Sequence, residues 1–214
     1  MSARTTDPWA VPPGLQGRHV RLEPLASAHA DGLREAVRDG GLWKPFYSSV
    51  PAPEAMQHYL QTALTQQAAG AALPFVVRDA GGTIVGSTRY YDIARAVPRL
   101  SIGYTWYARR VQRSGLNSEA KLLLLEYAFE TLDCIAVELR TSWFNHVSRA
   151  AIARLGARQD GVLRGHMRHN DGSVRDSVVF SIRDHEWPAV RSNLRMQLAQ
   201  HDAIVATPAR GSTP

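Results

Sequence analysis

Cysteine, lysine and long apolar runs are scarce in this chain, and each shortage closes a class of answers. The single cysteine, Cys134, excludes an intramolecular disulfide and any zinc site built on cysteines. No apolar run approaches the roughly 20 residues that cross a bilayer, so no membrane partner is expected. Met1 to Gly17 has no basic start followed by an apolar stretch, so no secretion signal is read there and a cytoplasmic location is expected. Lys44 and Lys121 are the only lysines, so the net charge of +6 rests almost wholly on arginine. There is no block of consecutive basic residues and no stripe of alternating basic and aromatic ones, which disfavours nucleic acid as a partner. Two familiar phosphate cradles are also missing: neither G-x-x-x-x-G-K-[ST] nor a G-x-G-x-x-G after a strand occurs.

What is present fits one domain with a core of its own: 214 residues, 44% of them hydrophobic, and no internal repeat. Residues 1–13 and 201–214 read as flexible flanks around a single domain over 14–200. Within it, His19 to Pro24 reads as a strand, Ala26 to Arg38 as a helix, and Gly40 to Pro51 as an aromatic loop carrying Trp43, Phe46 and Tyr47. A second helix starts at Pro53 and runs to about Gln67. Leu73 to Arg78, Thr83 to Tyr91 and Arg99 to Tyr107 read as strands. A long helix over Asn117 to Leu132 follows, with Ala120, Leu123, Leu124, Tyr127 and Ala128 on one stripe. Ile135 to Thr141 is a strand, and His146 to Leu155 a helix closed by Gly156. Gln159 to Met167 and Val174 to Ile182 form a hairpin across Asn170-Asp171-Gly172. Glu186 to Leu198 is the closing helix. This order predicts a mixed-sheet α/β (α+β) protein rather than an alternating doubly wound one.

Arg109 to Lys121 joins a strand to the long helix and carries the chemistry. The first helical N–H groups have no internal partner and the helix dipole adds positive potential, so such an end binds phosphate. Arg109, Arg110 and Arg113 add charge, and Gly115 has no side chain to obstruct a diphosphate. The alternative, a plain turn with solvated arginines, fits this stretch equally well. His166 and His169 are spaced like metal ligands on a helix, but they fall in the hairpin; they read as surface or acceptor-side residues, and no metal is expected.

Gln112-Arg113-Ser114-Gly115-Leu116-Asn117 resembles the Q/R-x-x-G-x-G/A signature of the GNAT acetyltransferases, with Asn117 where Gly or Ala is usual. Ile102 to Trp106 resembles the preceding strand in that family's RimJ/RimL-like branch. Asn145 to Ala157 and Gly161 to Arg164 resemble two later segments of it. The resemblance runs from about Gly14 to Leu198. It implies a mixed central sheet with two splayed parallel strands, helices on both faces, and acetyl-CoA as co-substrate. Pantetheine would then pair with the first splayed strand through Trp106, Tyr107 and Ala108, and Gln112, Arg113, Ser114, Gly115, Leu116 and Asn117 would hold the diphosphate. Asn145 would bond the pantetheine arm; an N-cap is its alternative role, and the two are compatible. A homodimer is left open.

By the same resemblance Ser148 protonates the departing sulfur, its alternative being a small polar residue in a helix's first turn. A backbone N–H near Trp106 would stabilise the oxyanion. Many family members carry Glu where this chain has Ser101, which makes Glu138 the main candidate base; an ion pair with Arg140 or a neighbouring arginine is its alternative. Water, Asp92 and Tyr91 follow. Trp43, Tyr47 and Tyr91 are candidates for contact with the acceptor. An α-amine near ~7.8 is deprotonated at pH 7 for about 1 kcal/mol and a lysine near ~10.4 for about 4.6 kcal/mol, so a site without a strong base favours an α-amine or another amine of low pKa. The expected activity is acetyl transfer to a primary amine, on a protein N-terminus or a small molecule. The competing expectations are a non-catalytic acyl-CoA-binding domain and, last, a nucleic-acid binder.

Overall fold

The computed structural model describes residues 7–206. Eight strands form one sheet in the order β1-β2-β3-β4-β5-β6-β8-β7. They are β1 (Leu15–Gln16), β2 (Val20–Pro24), β3 (Ala72–Asp79), β4 (Ile84–Ala94), β5 (Arg99–Tyr107), β6 (Ala136–Ser142), β7 (Arg158–Arg168) and β8 (Val174–Arg183). Among the described residues five α-helices accompany them: α1 (Ala30–Arg38), α2 (Met56–Ala68), α3 (Leu116–Glu126), α4 (His146–Leu155) and α5 (Trp187–Ala206). All neighbouring strands run antiparallel except β5 and β6, which are parallel.

Helices cover both faces, and two adjacent residues of β4 demonstrate it. Ser87 Oγ accepts from Tyr59 Oη of α2 at 3.2 Å. Thr88 lies 2.7 Å from Thr105 Oγ1, which also accepts from Lys121 Nζ of α3. Successive strand residues point to opposite faces, so α2 and α3 lie on opposite sides. α1 shares the α2 side through β4, while α5 packs against α3 and α4. The core includes Leu22, Leu33, Phe75, Tyr90, Leu100, Ile102, Leu124 and Leu125, all under 2% exposed. Each such side chain contributes about 1.5–3 kcal/mol. Tyr90 also donates its hydroxyl to the Leu124 carbonyl at 2.6 Å, tying α3 to the sheet.

Three details depart from the expected elements. The long helix changes after Glu126 into a π-helical turn over Tyr127–Thr131. The closing helix runs on to Ala206, into the stretch expected as tail, because its later turns pack on the β1–β2 turn: Asp202 pairs with Arg18 at 2.7 Å and His19 at 2.8 Å. Asp7, in the expected N-terminal flank, pairs with Arg95 at 2.6 Å. Among the described residues no helix is long and apolar enough to cross a membrane. No group of three histidine, cysteine or acidic side chains among them is placed to hold a metal ion.

Candidate functional site

The parallel ladder between β5 and β6 has three register pairs, Arg99–Ala136, Leu100–Val137 and Ser101–Glu138, and stops there. β5 continues along β4 to the pair Tyr107–Gly86, and β6 continues along β8 to Ser142–Ser177. The two strands therefore diverge beyond Ser101 and Glu138. The cause is a bulge. Between the pairs Ser87–Trp106 and Arg89–Gly103, β4 has one residue, Thr88, where β5 has two, Tyr104 and Thr105. Tyr104 takes the left-handed conformation at φ 51°. An extra residue of this kind bends its strand and ends regular pairing. Gly103 is required beside it, because a Cβ there would stand 2.6 Å from the Tyr91 ring.

The direction of the β5 backbone groups follows from one bond. Ala108 N–H donates to the Val85 carbonyl at 2.7 Å, away from the gap. In an antiparallel ladder the groups alternate, so Trp106 also faces β4, whereas Tyr107 faces the gap. The Tyr107 carbonyl accepts from Gln112 Nε2 at 2.9 Å, which fixes the following loop to the strand. Of the three residues expected to contact pantetheine by backbone, Tyr107 alone keeps its groups on the open edge. All three are buried.

Beneath the bulge, on the α3 side, sits Lys121. It is 6% exposed, and its Nζ donates to Thr105 Oγ1 at 2.9 Å. Burial pushes its pKa down to about 7, because the charged form is cut off from water. The hydroxyls of Thr105 and Thr88 complete a short polar chain in an otherwise apolar layer.

The loop from β5 to α3 ends at Gly115, which occupies the N-cap position. Gln112, Arg113 and Ser114 are exposed, and Arg113 is left-handed at φ 62°. Gly115 and Leu116 are buried, and Asn117 is half-buried. Gly115 also sits against two rings. A Cβ at Gly115 would stand 3.0 Å from His201 and 3.2 Å from His19, so the glycine admits those two rings. The first turn of α3 is fixed by Glu119, whose carboxylate accepts the backbone N–H groups of Arg18, His19 and Val20 at 2.9, 2.5 and 3.0 Å. Of the nearby arginines, Arg110 pairs with Asp39 at 3.4 Å.

On β6, Glu138 stands opposite Ser101 where the strands part. It pairs with Arg99 at 2.9 Å and also with Arg140, which in turn pairs with Asp92 at 3.1 Å. Asn145 caps α4: its Oδ1 accepts from Ser148 N–H at 3.0 Å. Ser148 is half-buried in that first turn. Tyr91 lies edge-on to Tyr104 with ring centres 5.3 Å apart, and burial pushes its hydroxyl up to about 12. The aromatic loop leans on the β7–β8 hairpin instead. Phe46 packs on Tyr47, Phe144 and His169, and Asn170 donates to the Ser48 carbonyl at 2.7 Å. Trp43 packs against the core. His169, expected at the surface or facing the acceptor, is buried between the hydroxyls of Ser142 and Ser173, each 3.0 Å away. His166 bonds Ser177 at 3.0 Å.

Residues 19–158 match the sequence profile of the acetyltransferase (GNAT) domain. The chain belongs to the GNAT acetyltransferase family. A crystal structure of an acetyltransferase from Thermus thermophilus superposes with a TM-score of 0.78 at 33% identity, covering 89% of this chain and 99% of that one. A GCN5-related N-acetyltransferase from Brucella melitensis superposes at 0.77 with 29% identity, over 87% and 85% of the two chains. The fold is shared at 22% identity by Mycobacterium smegmatis RimJ in complex with CoA-disulfide, with a TM-score of 0.71 over 86% and 93%. In sequence, the chain is 29% identical over 106 residues to Bacillus subtilis YdaF, a protein whose name assigns it provisionally to ribosomal N-acetylation. That match covers 50% of this chain and 57% of YdaF, so the chain spans little more than half of that relative's length.

Three residues around the β5 bulge had no role in the sequence reading: Arg89, Thr105 and Lys121. Lys121 did leave a signal, as one of two lysines in the chain and set in Ala-Lys-Leu-Leu-Leu-Leu. Thr105 and Arg89 left none, because their surroundings are set by the bulge at Tyr104.

Proposed function

We propose that this GNAT domain is an N-acetyltransferase that moves the acetyl group of acetyl-CoA directly to a primary amine in a ternary complex. The acceptor is a protein N-terminal α-amine or a small-molecule amine. The observation that carries the reading is the divergence of β5 and β6, which leaves the Thr105–Tyr107 edge unpaired and leads to the α3 N-terminus. An extended pantetheine arm adds to such an edge as a strand does. The diphosphate then lies at the amides of Gln112 to Asn117, with Arg109 and Arg113 as counter-charges. The Asn145 cap uses its oxygen, leaving its Nδ2 donors for the arm. The CoA in the name of the RimJ structure supports the co-substrate, and the ribosomal name of YdaF supports a protein acceptor and a cytoplasmic setting.

In the chemical step the amine nitrogen forms a bond to the thioester carbonyl carbon and the carbon–sulfur bond breaks. The open-edge amide at Tyr107, next to Trp106, stabilises the oxyanion. The Ser148 hydroxyl gives its proton to the thiolate and regains one from water. Glu138 is engaged by Arg99 and Arg140, and water or Glu138 receives the ammonium proton. An α-amine therefore suits the site better than lysine.

Thiol release and mass spectrometry with labelled acetyl-CoA and an amine library of dipeptides, aminoglycosides and lysine peptides test the reading. An acetylated α-amine product, formed faster than any lysine product from pH 6 to 9, is expected. Acetyl-CoA binding without acetylation of any amine would replace this reading with a non-catalytic acyl-CoA-binding domain, the alternative that the fastened Glu138 and the absent Glu at Ser101 favour.

A further inference from the structure

A recess of about 270 Å³ opens on the α2 side of the bulge, lined by Pro51, His58, Tyr59, Gln66, Arg89 and Tyr104 among others. No acidic residue lines it. Arg89 is 1% exposed, yet among the described residues it forms no ion pair. Its guanidinium lies between two rings, 4.9 Å from the centre of Tyr59 and 4.1 Å from that of Tyr104. One donor reaches Gln66 Oε1 at 2.9 Å, and Nε is buried without a partner. A second arginine, Arg175 of β8, faces Tyr91 and Tyr104; burial pushes its pKa down, and its Nε is likewise buried and unpartnered.

A buried guanidinium without a counter-ion is costly to keep, and rings alone do not use its forked donors. A structural clamp holding α2 to β4 needs the Tyr59 and Gln66 contacts but not an uncompensated charge. Its neighbour Tyr104 is the bulge residue itself, at the edge of the gap where the acetyl group is presented. A cation in that position fits a substrate that brings the missing negative charge.

We infer that the acceptor amine carries a carboxylate, and that this carboxylate enters the recess beside the bulge and pairs with Arg89. The inference rests on the acetyl-transfer reading and narrows its acceptor class. Guanidinium and carboxylate match as a two-bond fork, which fixes the rest of the acceptor relative to the wedge. Arg175, across Tyr104, adds positive potential that draws an acidic acceptor in and disfavours a cationic one such as an aminoglycoside.

The test uses acceptor pairs that differ by one carboxylate, assayed on the wild-type protein by thiol release, with rates compared per unprotonated amine. One arm pairs free amino acids with their carboxamides. The other pairs amidated tripeptides bearing Glu at the second position with the same peptides bearing Gln. A kcat/KM at least tenfold higher for the acid in one arm is expected, and the arm that responds identifies the source of the carboxylate. Arg89→Met should then bring acid and amide within twofold of each other, with CoA affinity by calorimetry unchanged as evidence of an intact fold. Acetylation of acids and amides at equal rates by the wild type would overturn the inference and leave the transferase reading standing. Acetyl-CoA binding with no amine acetylated at all would remove both.

Discussion

Replacing Lys121 with methionine tests whether the polar chain under the bulge is as dry as the geometry indicates. Methionine keeps the length and the packing of the stem and removes the titrating amine. In the folded protein burial holds that amine's pKa at about 7, against 10.5 for a free lysine. Between those values the unfolded chain binds a proton at Lys121 that the folded chain has shed. Stability from this group therefore rises with pH across that window, by up to about 1.4 kcal/mol per pH unit and roughly 5 kcal/mol in all. Below pH 7 both states hold the proton, the slope vanishes and the burial penalty is complete. Lys121→Met removes the penalty and loses one hydrogen bond to Thr105, about 1 kcal/mol. The variant should be more stable than the wild type at pH 6, and its advantage should shrink by about 1 kcal/mol per unit between pH 7 and 9. Urea unfolding of both proteins at pH 6, 7, 8 and 9 measures this. A difference that stays constant across that range would show that water reaches the amine, and the reasoning fails.

Three other substitutions address the remaining site residues. Asn145→Ala removes the α4 cap and should cost about 1 kcal/mol, lowering Tm by a few degrees, and should weaken CoA binding severalfold; an unchanged CoA Kd would leave Asn145 with the cap alone. Ser148→Ala should lower kcat about tenfold and leave the CoA Kd unaltered, because its proposed act belongs to the chemical step; equal turnover removes it from the mechanism. Glu138→Gln breaks the pairs with Arg99 and Arg140, so Tm should fall while kcat stays within tenfold. A loss of a hundredfold or more at unchanged Tm would instead make Glu138 the general base.

Much of the fold was legible because its elements carry strong local signals. Asn145 at a helix start, Gly156 at φ 104° at its end, and the Asn170-Asp171-Gly172 turn place α4 and the last hairpin within a residue or two. Hydrophobic alternation marks β5 at its observed bounds. The two-residue β1 and the π-helical turn after Glu126 left no pattern, because both depend on what packs against them. The site was legible only as sequence order. The splayed β5–β6 pair stands where the family resemblance implied, and the loop proposed to hold the diphosphate follows it. The bulge residue Tyr104, the buried Lys121 and the unpaired Arg89 do not announce themselves, since each acquires its character from a partner far along the chain. At Gly115 the pattern left no sign of the packing, since the rings of His19 and His201 that a Cβ would meet come from distant parts of the chain.

A crystal structure of the protein soaked with coenzyme A tests the central claim most directly. The diphosphate should lie against the main-chain amides from Gln112 to Asn117, and the pantetheine amides should bond the open edge of β5 at Tyr107. Nucleotide density at another surface, with that edge bare or covered by side chains, would contradict the account.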